Sequence, residues 1–167
     1  MVTIRLAKND DFEFFFKLKS EDFNIFWAGG ADKPERKNLE KFFYGAVKNA
    51  ALKEKRKIYI IENELNKKVG HLYINPDGSD YELACAICSE FCGKGYAKLA
   101  IKAGLAEGER LGFKRMVSYI REDNIASMKA YGSCGVKITD EFKEVYIPGL
   151  EKNVKMFKII YENGEKN

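Results

Sequence analysis

The stretch Tyr81-Glu82-Leu83-Ala84-Cys85-Ala86-Ile87-Cys88-Ser89-Glu90-Phe91-Cys92-Gly93-Lys94-Gly95-Tyr96-Ala97 decides how the chain is read. Residues 81–87 are largely apolar, as a central strand covered on both faces must be. Cys92-Gly93-Lys94-Gly95 ends the apolar run, and a helix reaching about Arg110 opens at once. Along it Ala97, Ala100, Ile101, Gly104, Leu105 and Gly108 recur on one helical face. Side chains that small let a helix lie close against a sheet. A strand entering a helix through glycines leaves backbone N–H groups unpaired, and the helix dipole makes the spot attractive to anions. Glycine also tolerates positive φ and lets a diphosphate approach the backbone. The pattern G-x-x-x-x-G-K-[ST] is absent, and G-x-G-x-x-G would need glycine at Lys98. Alone, the loop predicts an anion site.

Outward from this stretch the order is strand, two helices, three strands, helix, strand, helix, two strands. Upstream, Val2–Leu6 reads as a strand. A helix through Phe12, Phe15 and Phe16 follows, capped by Asn9 or Asp10. An aromatic loop then ends in Gly29 and Gly30. Pro34 falls in the first turn of a second helix, with Leu39, Phe42, Phe43, Ala46 and Val47 on one side. Strands at 57–62 and 69–74 flank a turn at 63–67, and 75–80 is rich in turn formers. Downstream come a strand at 115–120, a helix at 124–133, and strands around 136–147 and 154–161. This order predicts one α/β domain over residues 1–161, with a mixed, mostly antiparallel sheet of about seven strands and flanking helices. Residues 162–167 form a polar C-terminal tail.

Composition narrows the function classes. A chain of 167 residues fits one domain and needs neither disulfides nor metal to fold. Lys and Arg number 29 against 25 Asp and Glu, and the net +4 is too small to argue for nucleic acid. With 46% hydrophobic and 32% charged residues, no apolar run near a membrane span and no signal-like start, a soluble cytoplasmic protein is expected. Cys85, Cys88 and Cys92 read C-x-x-C-x-x-x-C, with Cys134 and His71 as the other soft ligands. Cys85 and Cys88 lie at odd spacing on a strand and point to opposite faces, so buried thiols are expected and no metal. His71, beside Gly70 in a strand, reads as structural, and no nucleophile motif accompanies it.

A second segment sharpens the reading. After the strand at 115–120 comes Arg121-Glu122-Asp123-Asn124-Ile125-Ala126-Ser127-Met128-Lys129-Ala130-Tyr131, with Gly135 beyond. Singly, Asn124 reads as a helix cap and Tyr131 as a core aromatic. Together with the glycine loop they resemble the GNAT superfamily of acyl-CoA N-acyltransferases. Its pyrophosphate loop, [QR]-x-x-G-x-[GA], is matched by residues 92–97, and its N-x-x-[AS]-x-x-x-Y-x-x-x-G helix by Asn124, Ser127, Tyr131 and Gly135. Cys92 departs from the usual Gln or Arg, at a position whose contribution runs largely through its backbone.

The resemblance implies acetyl-CoA as co-substrate. Its pyrophosphate would rest on Gly93, Lys94, Gly95, Tyr96 and Ala97 beside Cys92, with Lys98 and Lys94 adding positive charge. Pantetheine would run along Cys85, Ala86, Ile87 and Cys88. A splay between that strand and 115–120 would free a donor near Ala86 or Ile87 for the carbonyl oxygen. Asn124, in one motif with Ser127, would bind a pantetheine amide, and Tyr131 would protonate the departing thiolate. Glu82 is the candidate base, or else a solvated strand-end carboxylate. The acceptor would lie against Phe26, Trp27 and Tyr146, with Glu21, Asp22 and Asp32 nearby to suit a small amine such as an amino sugar. Phe23 and Phe26 also suit the core beneath the loop. Alternatives are a peptide N-terminal acetyltransferase of the ribosomal-protein type, an idle acyl-CoA sensor, or a mononucleotide binder. A monomer or homodimer is expected.

Overall fold

The computed structural model describes residues 1–164, among which lie seven strands and five α-helices. They are β1 (Val2–Leu6), α1 (Phe12–Lys19), α2 (Asp22–Ala28), α3 (Arg36–Lys48), β2 (Lys57–Asn63) and β3 (Lys68–Asp77). Then follow β4 (Asp80–Ile87), α4 (Tyr96–Arg110), β5 (Arg115–Arg121), α5 (Ile125–Gly132), β6 (Lys137–Ile147) and β7 (Lys152–Glu162). One mixed sheet has the order β1-β2-β3-β4-β5-β7-β6, and its neighbours are antiparallel except β4 and β5. The α/β class and the mostly antiparallel sheet are as expected.

The parallel pair matters most. β4 and β5 pair through Asp80↔Arg115 and Tyr81↔Met116 and then part, leaving a wedge in mid-sheet. On one face the small side of α4 presses down, with Ala100, Ile101, Gly104, Leu105 and Gly108 buried. A Cβ at Gly108 would run into the ring of Tyr81, and one at Gly104 would come within 2.7 Å of Leu72 and Leu83. That clearance is why the helix carries glycines despite their cost in propensity. On the other face α1 and α3 bury Phe12, Phe15 and Phe43 against Ile58 and Ile60. Each such side chain contributes about 1.5–3 kcal/mol.

Several local expectations are corrected. Residues 22–28 are α2, not loop, closed by Gly29 in the left-handed region at φ 82°. Periodicity missed it because Phe23-Asn24-Ile25-Phe26-Trp27 carries no apolar stripe. Neither Asn9 nor Asp10 caps α1. A 3-10 turn over Asn9–Asp11 precedes it, and the Asp11 carboxylate accepts the Lys8 N–H at 2.8 Å. Pro34 lies just outside α3, whose N-cap is Glu35. β3 continues through Asn75 and Pro76 to Asp77, so the reversal tightens to Gly78 and Ser79. Glu162 ends β7, and Asn163 binds the carbonyls of Lys114 and Phe113 at 3.0 and 2.8 Å. The rest of the expected tail, 165–167, lies outside the described residues.

Candidate active site

The glycine loop has the backbone its residues permit. Gly93 and Gly95 hold φ of 77° and 81°, and a Cβ on either would meet nothing within 4 Å. The cradle is therefore open space that a larger residue would fill. Gly95 is the N-cap of α4, so the N–H groups of Tyr96, Ala97 and Lys98 have no intrahelical acceptor.

The wedge supplies a second row of donors. The Leu83 N–H donates to the Ser118 hydroxyl at 2.9 Å, toward β5, whereas the Cys88 N–H donates to Val69 on β3 at 2.8 Å. Backbone groups alternate sides along a strand, so Cys85 and Ile87 also face the wedge, while Ala84 and Ala86 face β3. With β5 gone beyond Tyr81, the Cys85 and Ile87 amides open into it. Ile87 is thus placed as expected, the Ala86 amide is turned away, and the Cys85 amide joins the candidate donors.

Tyr131 comes from α5, which Asn124 caps by accepting the Ser127 N–H at 3.1 Å. The Tyr131 side chain is buried, and its hydroxyl donates to the Leu83 carbonyl at 2.8 Å inside the wedge. The Ser118 hydroxyl also donates to that carbonyl at 3.2 Å. Burial raises the phenol pKa above its ordinary value, so Tyr131 is a protonated donor at neutral pH.

Two cavities meet at the wedge. One, of about 230 Å³, runs from the glycine loop past Cys85, Ile87, Asn124 and Ser127 to Tyr131, with Phe23, Asn24 and Trp27 of α2 beside it. The other, of about 240 Å³, is lined by Lys19, His71, Tyr73, Ala84, Arg121 and Tyr131 among others. Asn24, Trp27, Cys85, Ala86, Asn124, Ser127 and Tyr131 border both.

Most expected cofactor residues converge on the first cavity, including Cys92, Tyr96 and Ala97. Cys88, Lys94 and Lys98 do not line it; Cys88 is buried, and the two lysines are exposed. Glu82 lines neither cavity. It is exposed, and the Asn75 amide donates to its carboxylate at 3.0 Å. Trp27 lines both cavities, but Phe26 stands behind it, edge-on at 4.9 Å, and Tyr146 is 58% exposed on β6. Phe23 and Phe26 are 44% and 41% exposed, so they do not fill the core. Glu21 is taken up by Asn24 and the Ser89 N–H, and Asp22 and Asp32 face a different hollow.

Sequence reasoning missed five residues of the site. Ser118 satisfies Leu83 across the wedge. Asn24 donates to the Ile87 carbonyl at 3.3 Å. Arg121 is 3% exposed, pairs with Asp123 at 2.7 Å, and lies 4.9 Å over the Trp27 ring. Lys19 enters the second cavity from α1. His71 is buried there with neither ring nitrogen hydrogen-bonded. Burial first, then the charge of Lys19, holds its pKa well below the usual imidazole range, so the ring is neutral. Nothing in spacing or composition marks these side chains, because distant elements bring them together.

Among the described residues no three His, Cys, Asp or Glu side chains are grouped to hold a metal, and no helix is long and apolar enough to cross a membrane. The family of acetyltransferase (GNAT) domains matches residues 2–137. No curated protein matches the chain. Solved structures share the fold at low identity. A spermidine N-acetyltransferase from Vibrio cholerae, in complex with CoA and spermine, has TM-score 0.85 at 16% identity, covering 98% of this chain and 96% of that one. An N-acetyltransferase from Staphylococcus aureus Mu50 has TM-score 0.81 at 15% identity over 97% and 98%. An aminoglycoside acetyltransferase in complex with coenzyme A has TM-score 0.76 at 13% identity over 97% and 95%.

Proposed function

The chain belongs to the GNAT acetyltransferases and uses acetyl-CoA, and from that premise we propose that it acetylates a primary amine of a small molecule, such as an amino sugar, by direct attack in a ternary complex. The observation that carries this reading is the Tyr131 hydroxyl, set in the wedge where the two cavities meet. Neighbours of the same fold act on spermidine and on aminoglycosides, both small amines. The proposed setting is the cytoplasm.

In this reading the N–H groups at the start of α4 hold the pyrophosphate. Cys85 and Ile87 offer their amides to pantetheine and to the thioester oxygen, where charge develops during attack. Asn124 adds a contact to a pantetheine amide, and Tyr131 gives its proton to the departing sulfur. The acceptor enters past Trp27 from the other cavity. Its ammonium must first lose a proton, and Glu82, outside both cavities, is reached through water past Ala84.

Calorimetric titration with acetyl-CoA, CoA, ATP and NAD tests the reading. Acetyl-CoA binds selectively, and Gly95→Val weakens it by about tenfold or more by filling the cradle. Preference for ATP, or no binding, overturns it. A thiol-release assay over small amines and peptide N-termini then separates the acceptor classes.

A further inference from the structure

The acceptor-side cavity has an unusual charge balance. Its lining includes Lys19 and Arg121 but no aspartate or glutamate. Arg121 is already neutralised by Asp123. Lys19 is not: its ammonium lies 5.8 Å from the Tyr73 ring centroid and forms no ion pair among the described residues. Burial lowers its pKa and no neighbouring acid offsets that. A half-buried charge without a counterion is costly, and an incoming anion removes the cost. A polycation would find no carboxylate here and would add to the repulsion.

Resting on the acetyltransferase reading, we propose that the acceptor is an amine that also bears an anionic group, a carboxylate or a phosphate, and that Lys19 binds that group. The amine then points toward Trp27 and Tyr131, with His71 beside it. His71 lines the same cavity with a neutral ring whose nitrogens no protein group takes up, so it can accept a hydrogen bond from the amine. Proton accounting closes. One N–H bond of the ammonium breaks toward the water that leads to Glu82. The nitrogen lone pair bonds to the carbonyl carbon and the C–S bond breaks. Tyr131 protonates the sulfur and is restored by the second proton lost from nitrogen.

Matched pairs in a thiol-release assay test this: serine against serinamide, glucosamine 6-phosphate against glucosamine, and spermidine as a polycation. The anionic member of one pair shows kcat/KM about tenfold or more above its neutral partner, as a charged hydrogen bond implies. Which pair responds separates carboxylate from phosphate. Lys19→Met collapses the ratio to near one while leaving acetyl-CoA affinity unchanged. Preference for spermidine or the neutral partners, or a ratio that survives Lys19→Met, overturns the proposal. If acetyl-CoA itself fails to bind, the parent reading fails instead. Should no amine turn over, the same pairs are titrated into the CoA-bound protein, where tighter binding of an anionic member supports the proposal and absence of any preference overturns it.

Discussion

Tyr131 is held by three things at once: the Asn124 cap that sets its helix, the Leu83 carbonyl that receives its hydroxyl, and burial. Phenylalanine keeps the packing and removes the proton. Tyr131→Phe therefore loses about 10²-fold in kcat with little change in KM for acetyl-CoA, measured by thiol release. Equal loss in binding would mean that the hydroxyl serves the ground state. Because burial raises the phenol pKa, the proton-donating form persists through pH 10, the ordinary tyrosine value, and kcat shows no decline there from this group. Cys85 lines both cavities, yet burial, then Cys92, push its thiol up to about 12. As a thiol it is a poor nucleophile, which favours direct attack over a cysteinyl intermediate. Cys85→Ala accordingly retains turnover, and mass spectrometry after mixing with acetyl-CoA finds no acetyl group on Cys85. Of the site residues, those near the glycines and Asn124 were legible because local backbone geometry demands them. Lys19 and His71 were not, since 52 positions separate them and only the sheet's tertiary packing unites them.

At the scale of elements, amphipathic pattern was readable and its exceptions were physical. α3 and α4 carry stripes that match their buried faces. α2 carries none, because its aromatics border cavities and a surface hollow instead of a continuous core. Close packing of α4 is testable. Gly108→Ala drives a Cβ into the buried Tyr81 ring and costs about 1–3 kcal/mol in urea denaturation, against almost nothing at the open Gly45. The entry to α1 rests on Asp11, whose buried carboxylate takes hydrogen bonds from Arg5 at 2.7 and 3.0 Å and pairs with Lys68 at 2.7 Å. Burial alone would raise its pKa, but Arg5, Lys68 and the Lys8 N–H bring it below the ordinary carboxylate value. A pKa lowered by folding contributes stability that is complete above about pH 4 and is lost as pH falls toward the folded-state value. Asp11→Asn costs about 1–3 kcal/mol at pH 7, because Lys68 loses its partner and Arg5 keeps only Glu62. Its stability also declines less than the wild type's between neutral and acid pH.

At the scale of the molecule, sequence order reveals the β1-β2-β3-β4 run as successive antiparallel neighbours but not the β5-β7-β6 half. The β6–β7 hairpin fixes which strands touch, and only side-chain packing decides that β7 is the inner one. That choice seats β7 against the full length of β5, from Arg115↔Glu162 to Arg121↔Met156, so β5 is held on one side and free on the other. The sheet is thus two halves joined at Asp80↔Arg115 and Tyr81↔Met116 and bridged further up by Ser118 and Tyr131 on Leu83. In the proposed complex pantetheine binds β4 amides on one half and Asn124 on the other, adding a tie across the wedge. Ligand that binds only the folded state stabilises it by about 2.7 kcal/mol at one hundred times Kd. For a domain of this size that corresponds to a rise in Tm of roughly 5–10 °C. A thermal scan should show that rise with acetyl-CoA and CoA and not with ATP. Gly95→Val should abolish it, whatever the substitution costs the unliganded protein. An equal rise with ATP would mean that the loop recognises a nucleotide phosphate without the wedge. The wedge would then be a defect of sheet pairing with no part in binding.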